Sequence, residues 1–330
     1  MKKYYILISL LIIVSTITSC SSSKDNDSSI NVAVSILPEV AFVEAVLGDK
    51  GTVTTVIPPG FSPANYQPSP KELLKISDAD LYFSIGVLAE TNILPKIVTD
   101  KTELISLSDE VNKKYPLLRM DAHHHNHDED SHVNDDNHEH DEDSHDTHDN
   151  HKHDEDSHIN HDNYKHDGLD PHIWMSPKRV KVIIETIKDS LIELDPNNSK
   201  YYSSNAEKYI EELTKLDNYI TNSLKSSETK SFIIYHPSLG YLADDYGLNM
   251  LSIEQEGKKA TIDTIKSVVD FANENNINVI FYQEEFDSKQ AKVIADEIEG
   301  NVVSLDILSK DYINNMKKIV GALTSDGTNN

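Results

Sequence analysis

One cysteine, one tryptophan and few basic side chains mark this sequence of 330 residues. A single thiol, Cys20, leaves no intramolecular disulfide for the fold to use. Lys and Arg total 30 against 56 Asp and Glu, a formal net charge of −26, and no basic patch is large enough to hold a nucleic acid. Neither HExxH nor GxSxG occurs, nor any other known hydrolytic motif, so the chain does not read as a zinc hydrolase. The N-terminal apolar run Tyr4–Val14 falls short of the roughly 20 residues a membrane-spanning helix needs.

That run reads instead as part of an export signal. Lys2 and Lys3 supply its charged end, and Ile17-Thr18-Ser19-Cys20 follows it. The arrangement resembles a bacterial lipoprotein box, in which the cysteine is lipidated and becomes the mature N-terminus. Residues 1–20 are then the signal peptide, Cys20 the lipidation site, and the polar stretch 21–30 a flexible tether. The expected location is the cell envelope, on the extracytoplasmic face of a membrane.

The acidity is concentrated. Residues 121–167 hold 17 Asp and Glu against two Lys, together with 14 of the 16 histidines. These are His123, His124, His125, His127, His132, His138, His140, His145, His148, His151, His153, His158, His161 and His166. The hexapeptide HDEDSH recurs at 127–132, 140–145 and 153–158. With almost no apolar side chains, the block cannot bury enough surface to offset the entropy of ordering, and reads as a disordered insertion. Imidazole binds Zn²⁺ well and the carboxylates concentrate cations, so the expected role is a metal-collecting loop.

Around this insertion, short β-branched runs alternate with helical patterns, which predicts α/β architecture with parallel sheets. Strands are expected near 31–37, 52–57, 79–85 and 103–107, then 231–235, 249–253, 278–282 and 301–305. Between the two sets lie a helix at 178–193 and a longer one after Asp195-Pro196. Tyr202, Ala206, Tyr209, Leu213, Leu216, Ile220 and Leu224 form one stripe along the longer helix, roughly 28 residues or about 40 Å. The division is an N-terminal α/β domain 31–195, a linking helix 196–226 and a C-terminal α/β domain 231–323.

In open α/β sheets, ligands bind beyond the carboxyl ends of the strands. His172 in Asp170-Pro171-His172-Ile173-Trp174, His236 before Pro237, and Asp306 after Leu305 are expected in such loops. Imidazole nitrogens with a carboxylate oxygen suit Zn²⁺ or Mn²⁺.

Four stretches now combine: Pro59–Pro70 (PGFSPANYQPSP), Asp170–Pro177 (DPHIWMSP), His236–Leu248 (HPSLGYLADDYGL) and Val302–Asp306 (VVSLD). In this order they resemble the zinc/manganese substrate-binding lipoproteins of ABC importers, the ZnuA-like cluster. The second and third stretches are the specific ones. The resemblance implies two doubly wound (βα)4 domains joined by a backbone helix that resists hinge closure, with the metal in the cleft. It assigns His172 to the first domain and His236 and Asp306 to the second. It further implies an ABC permease as partner, a monomer, Zn²⁺ as the bound ion with Mn²⁺ as the alternative, and no catalysis. A storage or adhesion lipoprotein is the other reading. One departure stands out: Ala64 occupies the position where the family usually has a histidine ligand. Asn65, Glu39, Glu254, a loop histidine and water are the candidates for the missing donor.

Overall fold

The computed structural model describes residues 29–97, 101–120, 168–228, 230–254, 260–286 and 288–325. Cys20 and every histidine of the acidic block lie outside them.

Two four-stranded parallel sheets organise the chain, each ordered 2-1-3-4 in its own strands. The first contains β1 (Ile30–Val34), β2 (Gly51–Thr55), β3 (Leu81–Ser84) and β4 (Glu103–Ser106). The second contains β5 (Ser231–Ile234), β6 (Asn249–Ser252), β7 (Val279–Gln283) and β8 (Asn301–Leu305). Seven of the eight strands lie within two residues of their expected bounds; β1 stops at Val34, three residues short, because the helix Leu37–Leu47 takes over the end of the run. A helix follows every strand except β2, whose link runs through an irregular proline-rich segment before the helix Pro70–Ile76. That helix starts where Ser69 accepts from the Glu72 N–H and Glu72 reaches back to the Ser69 N–H at 2.7 Å, a reciprocal cap written in the S-x-x-E spacing.

Strand alternation decides which core each side chain joins. In the second sheet, Phe232 and Ile234 enter a core continuous with the first domain. Ile233 and Tyr235 enter a smaller outer core with Val268, Ala272, Ile280 and Ile294. The helix Pro177–Leu194 packs against the 28-residue helix Ser199–Ser226, which also touches the helices Leu37–Leu47 of the first domain and Tyr312–Thr324 of the second. Six of the seven residues of the anticipated stripe are buried, and Tyr209 packs against them at the edge. Asp195-Pro196 opens a single 3₁₀ turn, and the α-helix proper begins at Ser199.

Several contacts pin the two domains together. Trp174 donates from Nε1 to the Ile307 carbonyl at 2.9 Å, and the Tyr312 hydroxyl donates to the Trp174 carbonyl at 2.8 Å. The Arg179 guanidinium lies 2.9 Å from Asp245 and 4.4 Å above the Tyr241 ring. The Tyr241 hydroxyl donates to the Asp170 carbonyl at 2.7 Å and accepts from the Leu118 N–H at 3.1 Å.

Candidate metal centre at the domain seam

His236 follows β5, and the Gln283 side chain at the end of β7 donates to its carbonyl at 2.8 Å. Its Nδ1 lies 2.9 Å from Glu254 Oε2, just past β6. His172 belongs to a different setting from the one expected. It is not at a strand end but precedes the 3₁₀ turn Ile173–Met175, downstream of the acidic block. Asp170 fixes it twice, accepting from the His172 N–H at 2.9 Å and lying 2.7 Å from Nδ1.

Both imidazoles therefore donate Nδ1–H to a carboxylate, which leaves the lone pair on Nε2. The rings meet across the seam with centroids 5.2 Å apart, at 71°. Trp174 packs on His172 at 5.1 Å, and Phe286 stacks on His236 at 4.5 Å. Burial depresses the His236 pKa, partly offset by Glu254, so this ring is held neutral, the form that binds metals.

The pair faces a cavity of about 600 Å³ whose walls include Ala64, Asn65, Leu88, Met120, Leu169, Glu254, Glu285 and Ile307. Asp306 opens on a neighbouring cavity of about 230 Å³ beside Pro59, Gly60 and Lys310. One Asp306 oxygen accepts from the Leu308 N–H at 3.0 Å. Among the described residues, no three His, Cys, Asp or Glu side chains stand close enough together to hold an ion as they are placed. The imidazole pair is preformed; the carboxylates stand back from it.

The candidates for the missing donor separate cleanly. Ala64 and Asn65 are exposed on the cavity wall. Glu254 reaches the cavity, but its carboxylate is engaged with the far nitrogen of His236, where it orients the ring. Glu39 is not among the residues lining this cavity. It is fully buried at the start of the helix Leu37–Leu47, accepting from the N–H groups of Ser35 and Ile36 at 3.0 and 2.9 Å. Burial and the nearby Glu90 charge push its pKa well up. An acid placed after the first strand is here a helix-start cap, which the sequence could not separate from a cleft ligand.

Two residues escaped the sequence reading. Asp170 carries the spacing of a carboxylate that bonds backbone two residues on, a local pattern visible in Asp-Pro-His. Glu285 lies two residues past β7, and testing every strand end for acids would have found it.

Two doubly wound domains facing each other across a buried seam define a substrate-binding protein. The family model for the periplasmic zinc-uptake complex component A, ZnuA, matches residues 32–325, and the chain belongs to that family. It is 29% identical to the high-affinity zinc uptake system protein ZnuA of Bacillus subtilis, over 93% of this chain and 92% of that one. It is 30% identical to the zinc-binding protein AdcA of Streptococcus pyogenes serotype M3, over 90% of this chain but 54% of AdcA, so it spans about half of that protein. A crystal structure of ZnuA superposes with a TM-score of 0.72 at 28% identity, over 90% of this chain and 99% of that one.

Proposed function

We propose that this protein captures Zn²⁺ outside the cytoplasm, in the cleft between its domains, and delivers it to an ABC-type importer. The observation that carries the reading is the facing pair His172 and His236, each tied at Nδ1 to a carboxylate so that both Nε2 lone pairs are free for one cation. Asp306 supplies a carboxylate from the second domain. The protein makes and breaks no covalent bond; its work is to strip water from an ion, hold it and release it. Family membership and the zinc-uptake relatives support this cargo.

The finer parts of the reading follow from the sequence. Cys20 anchors the chain to the membrane by lipid, the protein acts as a monomer, and the histidine block gathers Zn²⁺ for the cleft. In support of that last role, the block leaves and re-enters the fold at Met120 and Gly168, both on the cavity wall.

A second reading, Mn²⁺ as cargo, draws on one observation: Ala64 removes an imidazole while the surrounding acids remain, and oxygen donors suit Mn²⁺. Metal analysis of the purified chain, with His172→Ala and His236→Ala, tests both. Zinc at one tight site lost in each variant is expected. Full-affinity zinc binding in both variants would overturn the cleft assignment, and manganese in place of zinc would select the second reading.

A further inference from the structure

Position 64 has no donor to give, and neither Glu254 nor Glu39 is placed to replace it. Glu254 holds His236 by the wrong nitrogen for a shared metal, and Glu39 is buried at a helix start. The question is which group nearest the imidazole pair still has an unused donor atom.

We propose that Glu285 is the donor that compensates for Ala64, so that Zn²⁺ is held by His172, His236, Asp306 and Glu285. The assignment rests on the zinc-capture reading above and adds a ligand to that site. Three observations carry it. Glu285 and Leu308 line both cavities, the one under the imidazole pair and the one that Asp306 faces. Glu285 is therefore the acid standing between the two halves of the donor set. Next, its Oε2 is buried with no hydrogen-bond partner. A buried polar atom left unpaired costs about 1–3 kcal/mol, and native folds rarely keep one without a use. Finally, its chain neighbours hold it in place. Glu284 is exposed and its carboxylate accepts from the Ser304 hydroxyl at 3.3 Å, while Phe286 stacks on His236.

The electrostatics agree with this placement. Burial raises the Glu285 pKa, a hydrogen bond from its own backbone N–H lowers it, the Asp306 and Glu284 charges raise it, and His236 lowers it. Asp306 and Glu285 thus repel one another, and a cation placed between them would relieve that repulsion. Two neutral imidazoles and two carboxylates cancel the charge of Zn²⁺. Three imidazoles and one carboxylate would leave a positive charge in a largely apolar cavity. The replacement of a histidine at position 64 by a carboxylate at 285 therefore gives a neutral site, with one more oxygen donor.

The test is zinc affinity of the full-length chain by competition with a chromophoric chelator, which reports the tightest site and ignores weak ones. Glu285→Gln should weaken binding at least about 10-fold, the lower end of what losing even an outer-shell partner costs. Ala64→His in the Glu285→Gln background should restore it, which a misfolded variant could not do. The visible spectrum of the Co²⁺-loaded protein should shift in Glu285→Gln and shift again on rescue. Affinity within twofold of the parent in Glu285→Gln, with tight binding lost in His236→Ala, would overturn this assignment and leave water or Asn65 in the position. Tight binding retained in His236→Ala as well would remove the zinc-capture reading and this ligand with it.

Discussion

The Nδ1 of His236 and Oε2 of Glu254 lie 2.9 Å apart in a nearly dry pocket, and this contact leaves the other ring nitrogen free to bind a metal. An outer carboxylate of this kind is typically worth 10- to 100-fold in metal affinity. Glu254→Ala is expected to weaken zinc binding by about that factor. Glu254→Gln, which keeps an acceptor oxygen, should weaken it less. Chelator competition on the two variants checks the ranking; equal affinities for Glu254→Ala and the parent would refute the orienting role.

Trp174 is the only tryptophan, and its ring lies 5.1 Å from that of His172. Its fluorescence should therefore respond to zinc bound at the cleft and stay silent to zinc held elsewhere. A titration is expected to show a change that saturates near one equivalent and is absent in His236→Ala. A signal that persists in that variant would place the tight ion away from the seam.

Glu90 is buried near the end of β3, where it accepts from the N–H groups of Ile85 and Gly86 at 2.9 Å. Burial raises its pKa from 4.5 to about 7, against the opposing pull of its hydrogen bonds. The folded chain then binds more protons than the unfolded chain between these values. Stability tied to Glu90 is present below about pH 4.5 and is lost as pH rises through about 7, on the order of 3 kcal/mol in all. Urea midpoints of the metal-free protein should fall across that window, and Glu90→Gln should flatten the slope. Identical slopes in both proteins would show that Glu90 is already ionised at low pH.

Arg179 is buried between the rings of Tyr115 and Tyr241 and pairs with Asp245. Removing one member of a buried pair strands the other, a loss of about 3–5 kcal/mol. Arg179→Met should destabilise by about the lower figure, because the Ser176 hydroxyl and Lys178 also reach Asp245. Adding Asp245→Asn should recover part of the loss. Chemical denaturation of the two variants and the double mutant gives the coupling directly.

Much of this architecture is legible in residue order. The strands announce themselves because their β-branched runs are flanked by turn residues, and the stripe Tyr202–Leu224 marks a helix that buries one face along its whole length. His172 and His236 are singled out by the stretches that surround them, and their rings face each other across the seam. What could not be read is where a carboxylate points. Glu39, Glu254 and Glu285 all lie near strand ends, yet one caps a helix, one orients an imidazole and one lines both cavities at the seam. Glu254 finds its partner 18 positions away in sequence, at His236, whereas Glu39 bonds the N–H groups of Ser35 and Ile36 beside it, and single-chain periodicity does not say which of these an acid will do.

Deleting residues 123–166 should lower zinc stoichiometry while leaving the affinity of the tight site unchanged. Calorimetry on the shortened chain measures both. Unchanged stoichiometry, or a tight site that weakens, would contradict a collecting role separate from the cleft.

The clasp beneath that block has a further meaning. The Met120 N–H reaches the Gly168 carbonyl at 2.9 Å, the Asp170 N–H reaches the Leu118 carbonyl at 2.8 Å, and Arg119 bridges to Leu169. The fold thus closes on itself before the block begins, and whatever is spliced between these residues enters through a sealed port. Each doubling of a flexible loop costs only about 0.6 kcal/mol. Such a port lets segments of very different length and composition be carried there with little effect on the domain. It also marks the position where a reporter module could be inserted to turn this importer component into a zinc sensor.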